Sequence, residues 1–405
     1  MADFLKIILV ILVLLFLIKK KLDLGFVLFL GALLTGVIFS LGFPALARNI
    51  LEALTSAETL SLIGIILLVL YLGTLLQLKG NFKRMVDCLR NLIPEPRLIL
   101  ALPSAFIGFL PMIGGALMSA PVVEEAGRRW KLSPAWKTFL NYWFRHIWEY
   151  CWPLYVNLIL ASAILQIPIK RIAFFQFPFT VLAAALGLVI LFKHVPRLAS
   201  DKNSKGFLDN LFQLLFSIWP LLVAIFLIFI FKFSMLFSLA VTALLTQVFF
   251  RMSLQERLRI IWKSISLKTL FLIASVMVFK RILEVSGALN SLTSAIHPQG
   301  ASAYLLLFAV PFFLGLLTGV NHAYVGISFP ILLPIFGPEN PDMVLVMFAY
   351  VSGFFGILIS PAHLCLALTL EYFKADLRGV YRILILPSVV IFLAAFLVLL
   401  FLRII

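Results

Sequence analysis

The sequence predicts an all-α polytopic membrane protein with two inverted-topology repeats, each of five transmembrane helices plus one re-entrant hairpin. Hydrophobic residues occupy 63% of the 405 positions and charged residues only 12%, which excludes a soluble globular protein. Many apolar runs are long enough to cross about 30 Å of hydrocarbon. Prolines, glycines and short motifs of the first half recur in the second half, and this recurrence predicts the repeat.

The predicted domains follow the order of apolar runs and breaks. The first repeat covers 1–195, with spans at 4–18, 25–41, 59–78 and 174–192, a hairpin at 98–125 and a broken helix at 135–167. A polar cytoplasmic linker covers 196–210. The second repeat covers 211–405, with spans at 211–230, 234–250, 268–286 and 383–401, a hairpin at 303–335 and a broken helix at 343–372.

The repeat is read from landmarks at a nearly constant spacing. GALLTGVIF (31–39) matches TALLTQVFF (242–250) at an offset of 211 positions. Pro103 and Pro311 are 208 positions apart, as are Pro153 and Pro361. Each half has five crossings, and an odd number of crossings inverts the second half relative to the first.

The basic residues predict the orientation. The net charge is +16, but the lysines and arginines lie in short loops between apolar runs, so they do not indicate nucleic acid binding. With the N-terminus outside, 24 of the 33 lie in cytoplasmic loops: three after the first span, five at 79–97, four after the first hairpin, four in the linker, five at 251–268 and three at 374–382. The chain is therefore expected in the inner (cytoplasmic) membrane of a prokaryote, with both termini outside.

The first hairpin is predicted from PSAFIGFLPMIGGALMSAP (103–121), which is apolar yet interrupted by prolines and glycines. Lipid offers no partner to freed backbone N–H and C=O groups, so such a segment survives only beside protein or a wet cavity. The tip is expected near Pro111 to Gly115. The second hairpin carries Thr318, Asn321 and His322 at the matching position, where short polar groups either bind a ligand or satisfy the broken backbone.

Glu149 is the main candidate for chemistry, because a carboxylate at membrane depth is costly unless it is paired or protonated. Arg145 and His146 precede it by four and three positions and share its helical face. Two interpretations stay open: a self-neutralising pair that permits burial, or a substrate or proton site beside the break at Pro153. Lys280 in the second half is a candidate for attracting an anion.

Other classes of chemistry have little support in the sequence. It contains no HExxH, no GxSxG elbow and no Walker A run, so neither a cofactor nor ATP-driven pumping is expected. The three cysteines show no spacing of a disulfide framework or a zinc site. His146, Glu149, His322 and His363 would suffice as metal ligands, but nothing in their spacing requires a metal, and none is expected.

Two segments carry a resemblance to a known family. LPMIGGALMSAPVVEEAG (110–127) and YVSGFFGILISPAHLCLALTLEYF (350–373) resemble the integral membrane family called domain of unknown function 401. The two inverted halves look like the ion transporter superfamily, which includes gluconate permeases and dicarboxylate and citrate carriers. This resemblance implies that hairpin tips and helix breaks bind substrate and coupling ions, a role that would fall on Gly114, Gly115, Ser119, Thr318, Asn321, His322, Ser360 and His363.

The sequence thus predicts a secondary active transporter of a small solute, most readily an organic anion, with a site near the midplane between the repeats. Coupling to H⁺ or Na⁺ is left open, with Glu149 as the candidate for protons. The expected partners are the lipid bilayer and a small-molecule solute, and a homodimer is left open. The alternative is a membrane-embedded enzyme for a lipid-linked or hydrophobic substrate, with His146, Glu149 and His322 as acid–base groups.

Overall fold

The computed structural model describes residues 2–93, 95–109, 115–197, 206–289, 300–337 and 339–404. Within these ranges the chain is helical and contains no strand, so the prediction of an all-α protein is confirmed. Pro111 and Gly114 of the expected hairpin tip lie outside the described residues, as does part of the linker, 198–205.

The helices of the first half begin at recognisable capping residues. Ser56 and Ser133, for example, accept backbone N–H groups of the first turns of the helices that follow them. The helices are α1 (Ala2–Lys19), α2 (Leu24–Ile38), α3 (Phe43–Thr55), α4 (Ala57–Leu78), α5 (Asn81–Leu92), α6 (Leu102–Ile107), α7 (Ala116–Arg129), α8 (Pro134–His146), α9 (Val156–Leu165) and α10 (Ile169–His194), with 3-10 turns at Pro96–Leu100 and Ile147–Tyr150.

The second half uses the same signals. Ser234, Ser253 and Ser266 each accept a backbone N–H at a helix start. The helices are α11 (Phe207–Phe229), α12 (Met235–Phe249), α13 (Leu254–Ser264), α14 (Leu267–Val285), α15 (Ala301–Thr318), α16 (Asn321–Phe336), α17 (Met343–Leu358), α18 (Leu364–Phe373) and α19 (Leu377–Ile404).

Five of the described helices, α4, α10, α11, α15 and α19, are long and apolar enough to cross a membrane. The pair α13 and α14 together gives a sixth candidate, bent by 56° at the break between them. Shorter apolar helices of 10–17 residues fill the interior, among them α9, α16, α17 and α18. The chain is therefore a multi-pass helical membrane protein whose core consists of interrupted helices.

The first interruption lies inside the protein, and the second is buried at Ser360 and His363 but exposed at Pro361 and Ala362. Helix α8 passes through the 3-10 turn and ends before α9 begins at Val156, and α17 and α18 are separated by 359–363. Helices α15 and α16 are joined by Gly319 and Val320 alone. These non-helical segments leave backbone groups that must find partners within the protein, because lipid provides none.

Helix ends and backbone conformations recur along the chain. Helices α2 and α12 are both 15 residues long and begin 211 positions apart, while α9 and α18 are both 10 residues long and begin 208 positions apart. Residues with a left-handed backbone recur at similar offsets. A positive φ is unfavourable for lysine, serine and arginine, so the residue type does not explain these positions. These pairs are Lys21 and Lys232, Ser40 and Arg251, Gly80 and Gly287, and Gln166 and Lys374.

Glycines bring the breaks together. A Cβ at Gly315 would lie 2.2 Å from the carbonyl oxygen of Gly353, so α15 and α17 pack backbone to backbone. Gly319 has a φ of +63°, and a Cβ there would lie 2.5 Å from the backbone nitrogen of His363. The break between α15 and α16 therefore contacts the break between α17 and α18 directly.

Ion pairs between elements form two groups. One group joins segments that the sequence places on the cytoplasmic side: Lys79 with Glu256 at 2.6 Å, Lys268 with Asp23 at 3.3 Å, Lys137 with Glu124 at 2.6 Å and Arg197 with Glu95 at 3.5 Å. The other joins segments placed outside: Lys280 with Glu58 at 3.1 Å, Arg281 with Glu52 at 2.9 Å, and Arg403 with Asp342.

Candidate functional site

Glu149 lies at the centre of a buried polar cluster in the 3-10 turn after α8. Its Oε1 is 3.6 Å from Arg145 Nη1 and 3.8 Å from His146 Nε2. From the second half, the Asn321 side chain at the start of α16 donates a hydrogen bond to Glu149 Oε2. Arg145, His146 and Glu149 are at most 3% exposed, so the ion pair is held away from solvent.

Arg145 is fixed by a second contact that follows from the helix break. Its Nη1 donates to the hydroxyl of Tyr155 at 2.6 Å, and that hydroxyl donates to the carbonyl oxygen of Gly108 at 2.6 Å. Gly108 ends α6, and a Cβ there would lie 2.6 Å from the Arg145 carbonyl oxygen. The end of α6 is thus attached to the end of α8 through the residues that hold the guanidinium.

The two breaks meet through a histidine pair. His146 Nε2 and His363 Nε2 are 3.0 Å apart, although the residues are 217 positions apart in the chain. Each ring is oriented by its other nitrogen, His146 Nδ1 at 2.6 Å from the Tyr142 carbonyl oxygen and His363 Nδ1 at 2.6 Å from that of Gly319. Cys365, two residues beyond His363, is buried beside both rings.

Two further residues of the cluster were not singled out from the sequence. The Tyr350 hydroxyl donates to the Glu149 carbonyl oxygen at 2.7 Å, and Asn157 Nδ2 donates to the Tyr350 hydroxyl at 2.6 Å. Both are buried polar groups at apolar depth, which is the signal that would have identified them. Tyr350 is also the first residue of a motif already noted for its resemblance.

Asn141 of α8, another residue that the sequence did not single out, joins helices α6 and α7, which flank the predicted first hairpin tip. Asn141 Nδ2 donates to the Ala116 carbonyl oxygen at 2.8 Å, while Asn141 Oδ1 accepts from Ser119 at 2.6 Å and from Ser104 at 2.9 Å. Ser119 therefore hydrogen-bonds to Asn141 of α8, and Gly115 lies at the start of α7. Gly114 is outside the described residues.

Thr318 and Ser360 satisfy broken backbone. The Thr318 hydroxyl donates to the Leu314 carbonyl oxygen at 2.7 Å and accepts from the backbone of Val320 at 3.2 Å. The Ser360 hydroxyl donates to the Leu316 carbonyl oxygen at 2.6 Å and accepts from the backbone of Ala362. The Ser360 hydroxyl therefore attaches the break between α17 and α18 to helix α15, whereas the Thr318 hydroxyl stabilises the end of α15 locally.

Two candidate residues lie apart from the cluster. Among the described residues, no hydrogen bond or ion pair joins His322 to His146 or Glu149, although His322 follows Asn321 directly. Lys280 pairs with Glu58 and lines a separate cavity of about 260 Å³, together with Glu52, Arg281 and Glu284. The structure thus brings Arg145, His146, Glu149, Asn321 and His363 together and leaves Lys280 at another site.

Helix N-termini surround the cluster. Tyr155 precedes α9, His363 precedes α18, and Asn321 is the first residue of α16. Each of these helices has ten residues or more, so its first turn presents unpaired N–H groups and a partial positive charge. These termini and Arg145 therefore place positive charge around the Glu149 carboxylate.

Comparison with solved structures finds a membrane protein of similar fold. The YdaH transporter of Alcanivorax borkumensis, whose crystal structure is described as having an unusual topology, aligns with a TM-score of 0.60. The alignment covers 90% of each chain at 13% sequence identity, so the likeness is one of fold. No curated protein sequence matches this chain significantly.

The family is given by the sequence itself. Residues 2–405 match the family model described as "Protein of unknown function (DUF401)". The chain belongs to this family, which is the one that residues 110–127 and 350–373 resemble.

Proposed function

We propose that this protein is a secondary active transporter of a small organic anion, working by alternating access with its site between the two halves. The observation that carries the proposal is the central cluster, in which Arg145 and three helix N-termini, drawn from both halves, lie around the buried carboxylate of Glu149. A carboxylate or similar anion is stabilised by such termini, as in other transporters with interrupted helices.

Two inverted repeats with ten crossings and two re-entrant hairpins are part of this proposal. The recurring helix lengths and left-handed residues at offsets of 207–211 positions support the repeat. The two groups of ion pairs support the orientation, because they join the segments that charge assigns to the same side. Placement in the inner membrane with both termini outside rests on the distribution of lysine and arginine among the loops, and placement in the ion transporter superfamily rests on the resemblance of the two inverted halves.

The cluster also contains acceptors that a solute or a coupling ion would satisfy. Asn157 Oδ1 and Asn321 Oδ1 are buried and accept no hydrogen bond from the described residues. A buried acceptor left without a partner costs about 1–3 kcal/mol, which favours a bound donor or cation during the cycle. We propose H⁺ or Na⁺ as the coupling ion, with the carboxylate of Glu149 as the proton carrier and the amide oxygens as ligands that suit Na⁺.

The fold supports transport over the enzymatic alternative. YdaH, which shares the fold across 90% of both chains, is a transporter. An acid–base enzyme built on His146, Glu149 and His322 would bring all three into mutual hydrogen-bond reach, and the structure records no such contact for His322 among its described residues.

The proposal is tested by uptake into proteoliposomes containing the purified full-length protein. Labelled small mono- and dicarboxylates chosen from a thermal-shift screen would be supplied under an imposed pH gradient, Na⁺ gradient or neither. We expect gradient-driven uptake that Arg145→Gln abolishes. Arg281→Gln is the matched control, because Arg281 pairs with Glu52 far from the breaks and should retain uptake. Absence of uptake for all anions, with either gradient, would contradict the proposal.

A further inference from the structure

The histidine pair between the two breaks is held in one tautomer. A carbonyl oxygen only accepts hydrogen bonds, so the Nδ1 atoms that face Tyr142 O and Gly319 O, both at 2.6 Å, must carry the protons. Each Nε2 then presents a lone pair, and the two Nε2 atoms are 3.0 Å apart. Two lone pairs at this distance repel each other unless a positive species lies between them.

A third ligand-type atom lies beside the pair. Cys365 Sγ and the ring nitrogens of His146 and His363 all lie within 4.8 Å of one another. The three residues are 1%, 7% and 8% exposed, so the site is closed to bulk water. Both rings donate their remaining N–H to a backbone carbonyl, which is the arrangement that orients metal-bound histidines.

The distances suit a small tetrahedral ion. Zinc binds nitrogen at about 2.0–2.1 Å and sulfur at about 2.3 Å, which sets ligand atoms roughly 3.3–3.6 Å apart. Binding would therefore require the two Nε2 atoms, now 3.0 Å apart, to separate by a few tenths of an ångström, and the Cys365 sulfur, within 4.8 Å of both rings' ligand atoms, to lie about 3.6 Å from them. Imidazole and thiolate ligands favour Zn²⁺ and similar transition metals over Mg²⁺ or Ca²⁺, which bind oxygen.

We propose that His146, His363 and Cys365 form a binding site for a transition metal ion, with Zn²⁺ the best match to the ligands. Glu149 Oε1, 3.8 Å from His146 Nε2, adds negative charge beside the ion and supplements the Cys365 thiolate. Three protein ligands leave one coordination position open, as in many zinc sites that also bind a small molecule.

The ligands come from both halves of the chain, so a bound metal would tie the two breaks to each other. His146 ends α8, while His363 and Cys365 begin α18. No spacing motif reveals this site, because the histidines are 217 positions apart. The inference is independent of the proposed transport function, since a metal would bind whether or not a solute moves.

The test uses the full-length protein in detergent micelles after removal of metal with a chelator. One sample is titrated with Co²⁺ and followed by absorption. A second sample is incubated with Zn²⁺ and desalted, and its bound Zn²⁺ is measured by mass spectrometry. We expect one metal ion per chain and a thiolate-to-cobalt charge-transfer band. Cys365→Ser should remove the band, and His146→Asn or His363→Asn should weaken affinity at least about tenfold, the smallest loss typical even for outer-shell changes.

Matched controls separate ligand loss from general damage. Cys151→Ser changes another buried cysteine, and His322→Asn changes a neighbouring histidine that makes no described contact with the pair. Both should bind one metal ion with unchanged affinity. Wild-type protein that binds neither Co²⁺ nor Zn²⁺ stoichiometrically would overturn the proposal. A proton shared between the two Nε2 atoms would then explain their 3.0 Å separation. Equal loss in the controls and the ligand variants would overturn it as well.

Discussion

Replacing Gly319 with alanine tests the contact on which the central cluster depends. Gly319 joins α15 to α16 in a left-handed conformation, with a φ of +63°. A Cβ there would lie 2.5 Å from the His363 nitrogen and 2.6 Å from the Ala362 carbonyl carbon. Because both are backbone atoms, they cannot rotate away, and the break between α17 and α18 must move away from the junction of α15 and α16.

The magnitude follows from two separable terms. An L-residue in the left-handed region costs about 1–2 kcal/mol. The substitution Gly80→Ala isolates this backbone cost, because Gly80 has a φ of +72° and a Cβ there would meet no atom within 4 Å. The overlap at Gly319 adds about 1–3 kcal/mol, the usual cost of overpacking. Gly319→Ala should therefore destabilise by about 2–5 kcal/mol and Gly80→Ala by about 1–2 kcal/mol.

The assay is unfolding in mixed micelles titrated with a denaturing detergent, with wild type, Gly80→Ala and Gly319→Ala compared in parallel. Gly319→Ala should also weaken Co²⁺ binding, since the Gly319 carbonyl oxygen orients the His363 ring at 2.6 Å. Equal destabilisation by the two substitutions would refute the reasoning, because it would mean that the two breaks do not touch.

Three further predictions concern other parts of the molecule. Glu149→Gln should lower the unfolding free energy by about 3–5 kcal/mol, because the guanidinium of Arg145 stays buried without its carboxylate. The double variant Arg145→Gln, Glu149→Gln should lower the unfolding free energy by less. An equal or larger decrease in the double variant would contradict the pairing. Asn141→Ala should cost about 1–3 kcal/mol in the same titration, since the buried carbonyl oxygen of Ala116 loses its donor, whereas an unchanged midpoint would argue against this role. At the membrane surface, the hydrogen bond from Arg97 lowers the pKa of Glu95 below its ordinary value. The stabilisation by Glu95 is therefore present above its unfolded pKa and lost as the pH falls through the lower folded pKa. The difference in thermal midpoint between wild type and Glu95→Gln should disappear on acidification, and a pH-independent difference would rule this out.

Composition and local pattern were sufficient for the class and for some interruptions, but Pro121, Pro311 and Pro330 lie inside continuous helices. Apolar runs determine spans because burial of such surface in lipid is favourable wherever it occurs. Proline and glycine mark breaks because they remove or distort backbone hydrogen bonds within a few residues. The structure accordingly has helix ends at His146, Leu358 and Thr318, each beside a predicted interruption.

The sequence also determined that Arg145, His146 and Glu149 share one face, because residues three and four apart on a helix are neighbours by geometry alone. Only the tertiary structure decided that Asn321 and His363 complete this cluster while Lys280 pairs elsewhere with Glu58. Contacts across some 200 positions depend on how separate helices pack, and helical periodicity carries no information about that packing.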